Sequence, residues 1–169
     1  SGWQILCPQA EAEHPTLGGF AWWLRSDSAT EPLSAEAQLQ VVASVQRVIS
    51  ELPAGPLIVG GFSQGGAIAS AMLEYEVQNR IAGLVLIGTK TARPDELTAA
   101  IPSLRPREVV WMHGSRDHLL PLAQAEEHAE IFEAAGWPVT RLAHEKGHMV
   151  NLNQIAELRA AIQRMADSA

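Results

Sequence analysis

Apolar residues recur along this chain at two spacings, and the switching between them predicts its elements. From Ser34, a suitable N-cap, to about Leu52, the residues Leu39, Val42, Val45, Ile49 and Leu52 stand at helical spacing. Pro53, Gly55 and Pro56 then close that helix. The next run, Leu57 to Phe62, carries no charge and is too short for a buried helix, so it reads as a strand. A helix over 64–77 follows at once. Further uncharged strands are predicted at Gly83–Gly88 and Val109–His113, with an irregular, proline-punctuated segment between them. A helix from about Leu122 to Ala135 ends at Gly136, a short strand covers 138–143, and a last helix spans about 152–166. Near the start, residues 3–7 form a strand ended by Pro8. A long connection then runs from Gln9 to Pro32 through Gly18, Gly19, Phe20, Trp22 and Trp23. Strands that are apolar throughout and alternate with helices require a parallel sheet covered on both faces. The expected fold class is therefore α/β: one domain over 1–169, with a mostly parallel sheet of about five strands flanked by helices.

Composition narrows the setting. No apolar run approaches the ~20 residues of a membrane span, and the first residues lack the charged start and apolar centre of a signal peptide. A cytoplasmic protein without a membrane span is the expectation. Nineteen Asp and Glu against twelve Lys and Arg give a net charge of −7 with no basic run, which argues against nucleic acid as a partner. The single cysteine, Cys7, excludes an internal disulfide; within Trp-Gln-Ile-Leu-Cys-Pro it is expected to be a buried, unreactive thiol.

Chemistry concentrates where the strand at 57–62 stops. Gly61-Phe-Ser-Gln-Gly65 places Ser63 in a tight strand-to-helix turn, and such a turn can project a serine oxygen only if small flanking residues let backbone approach. Gly61 and Gly65 are the residues expected to do so. In a parallel sheet, reactive groups gather beyond the C-terminal strand ends. Asp117 follows the strand at 109–113, and His148 follows the strand at 138–143, so both fall at the edge that holds Ser63. Asp27, Asp95 and Glu145 compete for the carboxylate role, and His113, His118 and His144 for that of the base. Six histidines raise the question of a metal, but no pair lies at His-x-x-x-His spacing on a predicted helix beside a third ligand, and no cofactor or metal is expected.

The order Ser, Asp, His is that of α/β-hydrolases. Gly61-Phe-Ser-Gln-Gly-Gly66, His113-Gly-Ser-Arg-Asp-His-Leu-Leu-Pro121 and Lys146-Gly-His-Met149 resemble the acyl-protein thioesterase and small carboxylesterase (phospholipase/carboxylesterase) family. Cys7-Pro-Gln-Ala10 and Gly18-Gly-Phe-Ala-Trp-Trp23 extend the likeness to nearly the whole chain. The resemblance implies Ser63 as nucleophile, His148 as general base and acid, and Asp117 as the carboxylate that orients it. It also implies the Gln64 backbone amide as an oxyanion donor.

The family begins with a strand ending in His-Gly, which this sequence lacks. That strand normally lies between those equivalent to 3–7 and 57–62, and it supplies a second oxyanion donor. The chain is therefore expected to be either a fragment or an α/β-hydrolase shortened at its N-terminus, with Gly18-Gly19 as the stand-in donor. The implied function is hydrolysis of small-molecule carboxylic esters or thioesters of short-to-medium acyl chains through an acyl-enzyme. Trp22, Trp23, Leu119 and Leu120 are the expected substrate-binding residues, each with ordinary core packing as the competing role. An exposed strand edge predicts a homodimer. The rival function is a hydrolase-fold binding or scaffold protein with weak or no catalysis.

Overall fold

The computed structural model describes residues 2–16, 18–25 and 28–169. Two short antiparallel strands come first, β1 (Ala12–Glu13) and β2 (Phe20–Ala21). The main sheet follows: β3 (Leu57–Phe62), β4 (Ile81–Ile87), β5 (Glu108–Gly114) and β6 (Val139–His144), parallel and in sequential order. Five helices accompany it: α1 (Ala35–Glu51), α2 (Gln64–Ala71), α3 (Pro94–Ala100), α4 (Leu122–Ala134) and α5 (Ile155–Asp167). Among them no helix is long and apolar enough to cross a membrane.

Because successive side chains of a strand point to opposite faces, the continuous apolar runs feed two cores. Leu84, Leu86 and Val109 join Val41, Val45 and Val48 of α1, Ile68 of α2 and Phe132 of α4 in the larger core. Val85, Ile87, Val110 and Met112 face the other way, where α5 supplies Leu158, Ala161 and Met165. Gly83 lets α5 sit close, since a Cβ there would fall 2.5 Å from the Met165 side chain.

Two expectations change. α1 begins as predicted, with Ser34 accepting from the Ala37 amide at 3.2 Å, but its buried stripe is Ala37, Val41, Val45 and Val48. Leu39 is 70% exposed. The sheet face that α1 covers selects the small and β-branched residues, and the buried stripe is turned from the expected one by about 100°, roughly one residue, with Val45 common to both.

Residues 3–7 are not a strand. With the sheet ending at β3, they have no neighbouring strand to supply ladder hydrogen bonds, and extended backbone without a partner is not a β-strand. Ile5 is 92% exposed, and Cys7 is an exposed free thiol rather than a buried one. The main sheet thus has four strands, and β3 is its edge. A groove of about 790 Å³ lies between residues 2–8 and that edge, floored by Leu57, Val59 and Gly61.

Candidate active site

Ser63 sits between β3 and α2 with φ 54° and ψ −123°, the one non-glycine with positive φ among the described residues. Its amide donates to the Ile87 carbonyl at 2.9 Å, and its carbonyl accepts from the Gly66 amide at 3.0 Å. Such a backbone costs on the order of 1–3 kcal/mol and persists only where the surroundings enforce it. Here they do. A Cβ on Gly61 would fall 2.2 Å from the Gly65 carbonyl carbon, and one on Gly66 would fall 2.6 Å from Thr89 Cγ2 and 2.9 Å from the Gly61 carbonyl. At Gly65 the nearest atom would be Trp22 Nε1 at 3.8 Å, an ordinary contact. The turn therefore requires Gly61 and Gly66, and the expectation that Gly65 is needed for close approach is corrected.

The histidine comes from the loop after β6. The ladder between β5 and β6 continues past the strands, with Ser115 N–H donating to the His144 carbonyl at 2.7 Å and Arg116 N–H to that of Lys146 at 3.1 Å. Gly114 permits this crossing, since its Cβ would lie 2.1 Å from the Lys146 carbonyl oxygen. Stitched together, the two loops set His148 Nδ1 2.6 Å from Asp117 Oδ2 and His148 Nε2 3.0 Å from Ser63 Oγ. Phe62 lies against the imidazole with ring centroids 4.6 Å apart.

Asp117 is buried, and its other oxygen is fully engaged: Oδ1 accepts from the Leu119 and Leu120 amides, each at 2.9 Å. Burial pushes its pKa up. The Leu120 amide, the His148 imidazole and the Leu119 amide outweigh that and hold it below the usual value, so it is a carboxylate at neutral pH. A second imidazole stands nearby: His113 Nε2 lies 3.5 Å from Asp117 Oδ2 but donates to the Leu120 carbonyl at 3.0 Å. Burial lowers the His113 pKa, so it stays neutral and braces the Asp117 loop.

The remaining competitors lie elsewhere. Asp95 is exposed in the first turn of α3, Glu145 is exposed and 3.6 Å from Arg116, and His118 is exposed. His144 Nδ1 accepts from the Lys146 amide at 3.2 Å. Asp27 lies outside the described residues.

Beside Ser63 and His148 is a cavity of about 220 Å³ that also takes in Trp23, Leu119 and Leu120. Trp22 instead lines the groove along β3. The Gln64 amide opens α2 and is one of the orphan N–H donors of a helix start, and Gln64 lines the cavity. Gly18 and Gly19, both with positive φ, form the turn between β1 and β2 and do not line the Ser63 cavity. Several contributors carried no sequence signal. The Gln64 side chain clamps the connection, accepting from Trp22 N–H at 2.9 Å and donating to the Trp23 carbonyl at 3.0 Å. Arg25 and Lys90 line the cavity, brought there from segments that sequence spacing does not relate. Among the described residues no cluster of three or more His, Cys, Asp or Glu is arranged to hold a metal ion.

This arrangement, a strained serine at a strand-to-helix turn facing a histidine and a buried carboxylate from later strand ends, is the layout of one fold class. The profile of the alpha/beta hydrolase fold matches residues 24–110, just over half of the chain, and the chain belongs to that family. Among solved structures, Arabidopsis thaliana SOBER1 superposes with a TM-score of 0.71 at 17% identity, covering 88% of this chain and 75% of that one. Zea mays acyl-protein thioesterase 2 gives 0.66 at 20% identity, covering 94% and 80%. The Bacillus cereus carboxylesterase gives 0.63 at 17%, covering 80% and 67%. These are relatives of the kind the sequence motifs pointed to, and at such identities they establish the fold. A search of curated proteins returned no match.

Proposed function

We propose that this protein is a serine hydrolase of carboxylic esters or thioesters with short-to-medium acyl chains. The observation that carries the reading is the continuous hydrogen-bonded line from Asp117 through His148 to Ser63, at 2.6 and 3.0 Å. Asp117 holds Nδ1–H, which leaves the Nε2 lone pair facing the serine hydroxyl. Ser63 attacks the substrate carbonyl as His148 takes its proton, and the oxyanion rests on the Gln64 amide. His148 then protonates the departing alcohol or thiol, and a water activated by the same imidazole releases the acid. Trp23, Leu119 and Leu120 would enclose the acyl chain. The esterase and thioesterase neighbours of the same fold support the reading.

Labelling with a fluorophosphonate tests it. Stoichiometric modification is expected at Ser63, absent in Ser63→Ala and slow in His148→Ala. No modification of folded protein would sink the proposal and favour a non-catalytic hydrolase-fold scaffold. If Gln64 acts without a second donor, turnover falls by roughly 10²–10³, so the expected enzyme is slow. The free β3 edge supports a further proposal, a homodimer paired along it. Light scattering should then give twice the mass of one chain, and a monomer at all concentrations would rule it out.

A further inference from the structure

The cavity that holds Ser63 and His148 also holds two cations, and among the described residues neither has a carboxylate within ion-pair distance. Arg25 and Lys90 both line it. Lys90 follows β4 through Gly88 and Thr89, and its ammonium donates to Gln124 Oε1 at 2.9 Å and to the Thr30 carbonyl at 3.4 Å. Among the described residues its third N–H has no acceptor. The Arg25 guanidinium donates to the Ser28 and Glu31 carbonyls, while its buried Nε has no acceptor among the described residues. Among the described residues no carboxylate comes within ion-pair distance of either cation. Five other arginines, 47, 93, 116, 141 and 164, do reach one.

Arg80, Arg105, Arg107, Arg159 and Lys146 likewise reach no carboxylate among the described residues, so what sets Arg25 and Lys90 apart is that they share the cavity of Ser63. Burial, followed by the positive charge of Arg25, holds the Lys90 pKa below its ordinary value; the charges of Glu127 and Glu31 act in the opposite sense. Two like charges sharing a partly enclosed cavity repel more strongly than they would in water. A bound anion would remove that repulsion and accept from the Lys90 ammonium. The competing role is mechanical, since Lys90 and Gln124 both donate to the Thr30 carbonyl and so pin the connection. Pinning alone would need neither two charges nor a shared cavity with the nucleophile.

We propose that Arg25 and Lys90 form an anion-recognising subsite of the Ser63 cavity, so that the substrate is an ester or thioester bearing a carboxylate. This rests on the hydrolase reading above. The test compares kcat/KM for a charged and a neutral ester of matched length. On the acyl side the pair is the mono-para-nitrophenyl ester of adipic acid and para-nitrophenyl hexanoate. On the alcohol side it is the hexanoate esters of para-hydroxybenzoate and para-hydroxybenzamide. In one of these arms the charged substrate is expected to be preferred about tenfold, equivalent to about 1.4 kcal/mol. That ratio should fall toward one in Lys90→Gln and in Arg25→Gln, persist in Lys90→Arg, and shrink as ionic strength rises from about 0.05 to about 0.5 M.

A ratio at or below one in both arms, with Ser63 still labelled by fluorophosphonate, overturns the subsite and leaves the hydrolase standing. A preference that survives Lys90→Gln and Arg25→Gln unchanged overturns it as well. Absence of both turnover and labelling in folded protein overturns the hydrolase reading, and the subsite with it.

Discussion

Replacing Asp117 by Asn is the most searching perturbation of this site, because the geometry dictates which way the new amide must point. Asp117 Oδ1 accepts two backbone N–H groups, from Leu119 and Leu120, each at 2.9 Å. In Asp117→Asn only the carbonyl oxygen can occupy that position, since an NH₂ group there would face two donors. The NH₂ must therefore face His148 Nδ1, 2.6 Å from the present Oδ2. It can only donate, so it selects the tautomer with the proton on Nε2, 3.0 Å from Ser63 Oγ. A protonated Nε2 cannot take the serine proton. The same substitution in a serine protease triad costs on the order of 10⁴ in kcat, or about 5 kcal/mol of barrier, and the same order is expected here. The assay is kcat/KM for para-nitrophenyl butyrate at neutral pH, with circular dichroism to confirm the fold. The loss should also be non-additive: Ser63→Ala combined with Asp117→Asn should be no slower than Ser63→Ala alone. A fall of less than about tenfold, or full additivity, would refute the assignment of Asp117 as the group that sets the histidine tautomer.

Other consequences follow from packing and burial. Gly61→Ala and Gly66→Ala should each lower stability in chemical denaturation by at least about 1–3 kcal/mol, because their methyl groups meet backbone or Thr89. Gly65→Ala should be neutral or stabilising by up to about 1 kcal/mol, since it has room and lies in a helix. His128 is buried, and loss of hydration lowers its pKa to about 4 from 6.5. Between those values the unfolded chain binds the extra proton, so stability falls as pH falls from 6.5 to about 4 and His128 adds no further loss below that. His128→Leu should remove about 3 kcal/mol of that acid-side loss, read from denaturation midpoints across the window; His113 and His144, shifted the same way, retain the remainder. Cys7, exposed, should react with a chromogenic disulfide reagent in the native state at one thiol per chain, and a need for denaturant would contradict its position.

Short-range chemistry was legible in the residues alone. Ser34 as an N-cap, the uncharged strands, the small-residue turn around Ser63 and the placing of Asp117 and His148 after successive strands all depend on near neighbours and on the two backbone periods. The same reasoning could not choose between equals. Gly61, Gly65 and Gly66 look alike in a turn, and only the approach of Thr89 and the Gly61 carbonyl shows that Gly66, not Gly65, must lack a side chain. In α1 the choice of buried stripe belonged to the sheet it covers, which is why Val41 and Val48 are inside and Leu39 is outside.

By itself, then, the order of residues determined the fold class, the tight turn around Ser63 and the trio drawn from three strand ends, because each is encoded locally and parallel strands put their C-terminal ends at one edge. Tertiary structure decided what depends on partners distant in sequence. Residues 3–7 have strand-forming side chains but no strand beside them, and so remain exposed coil. Ser63 and His148 meet across 85 residues only because β6 lies three strands from β3 in the same parallel sheet, and its loop is stitched to the end of β5. Arg25 and Lys90 became neighbours of the serine in the same way, through packing that no spacing along the chain records.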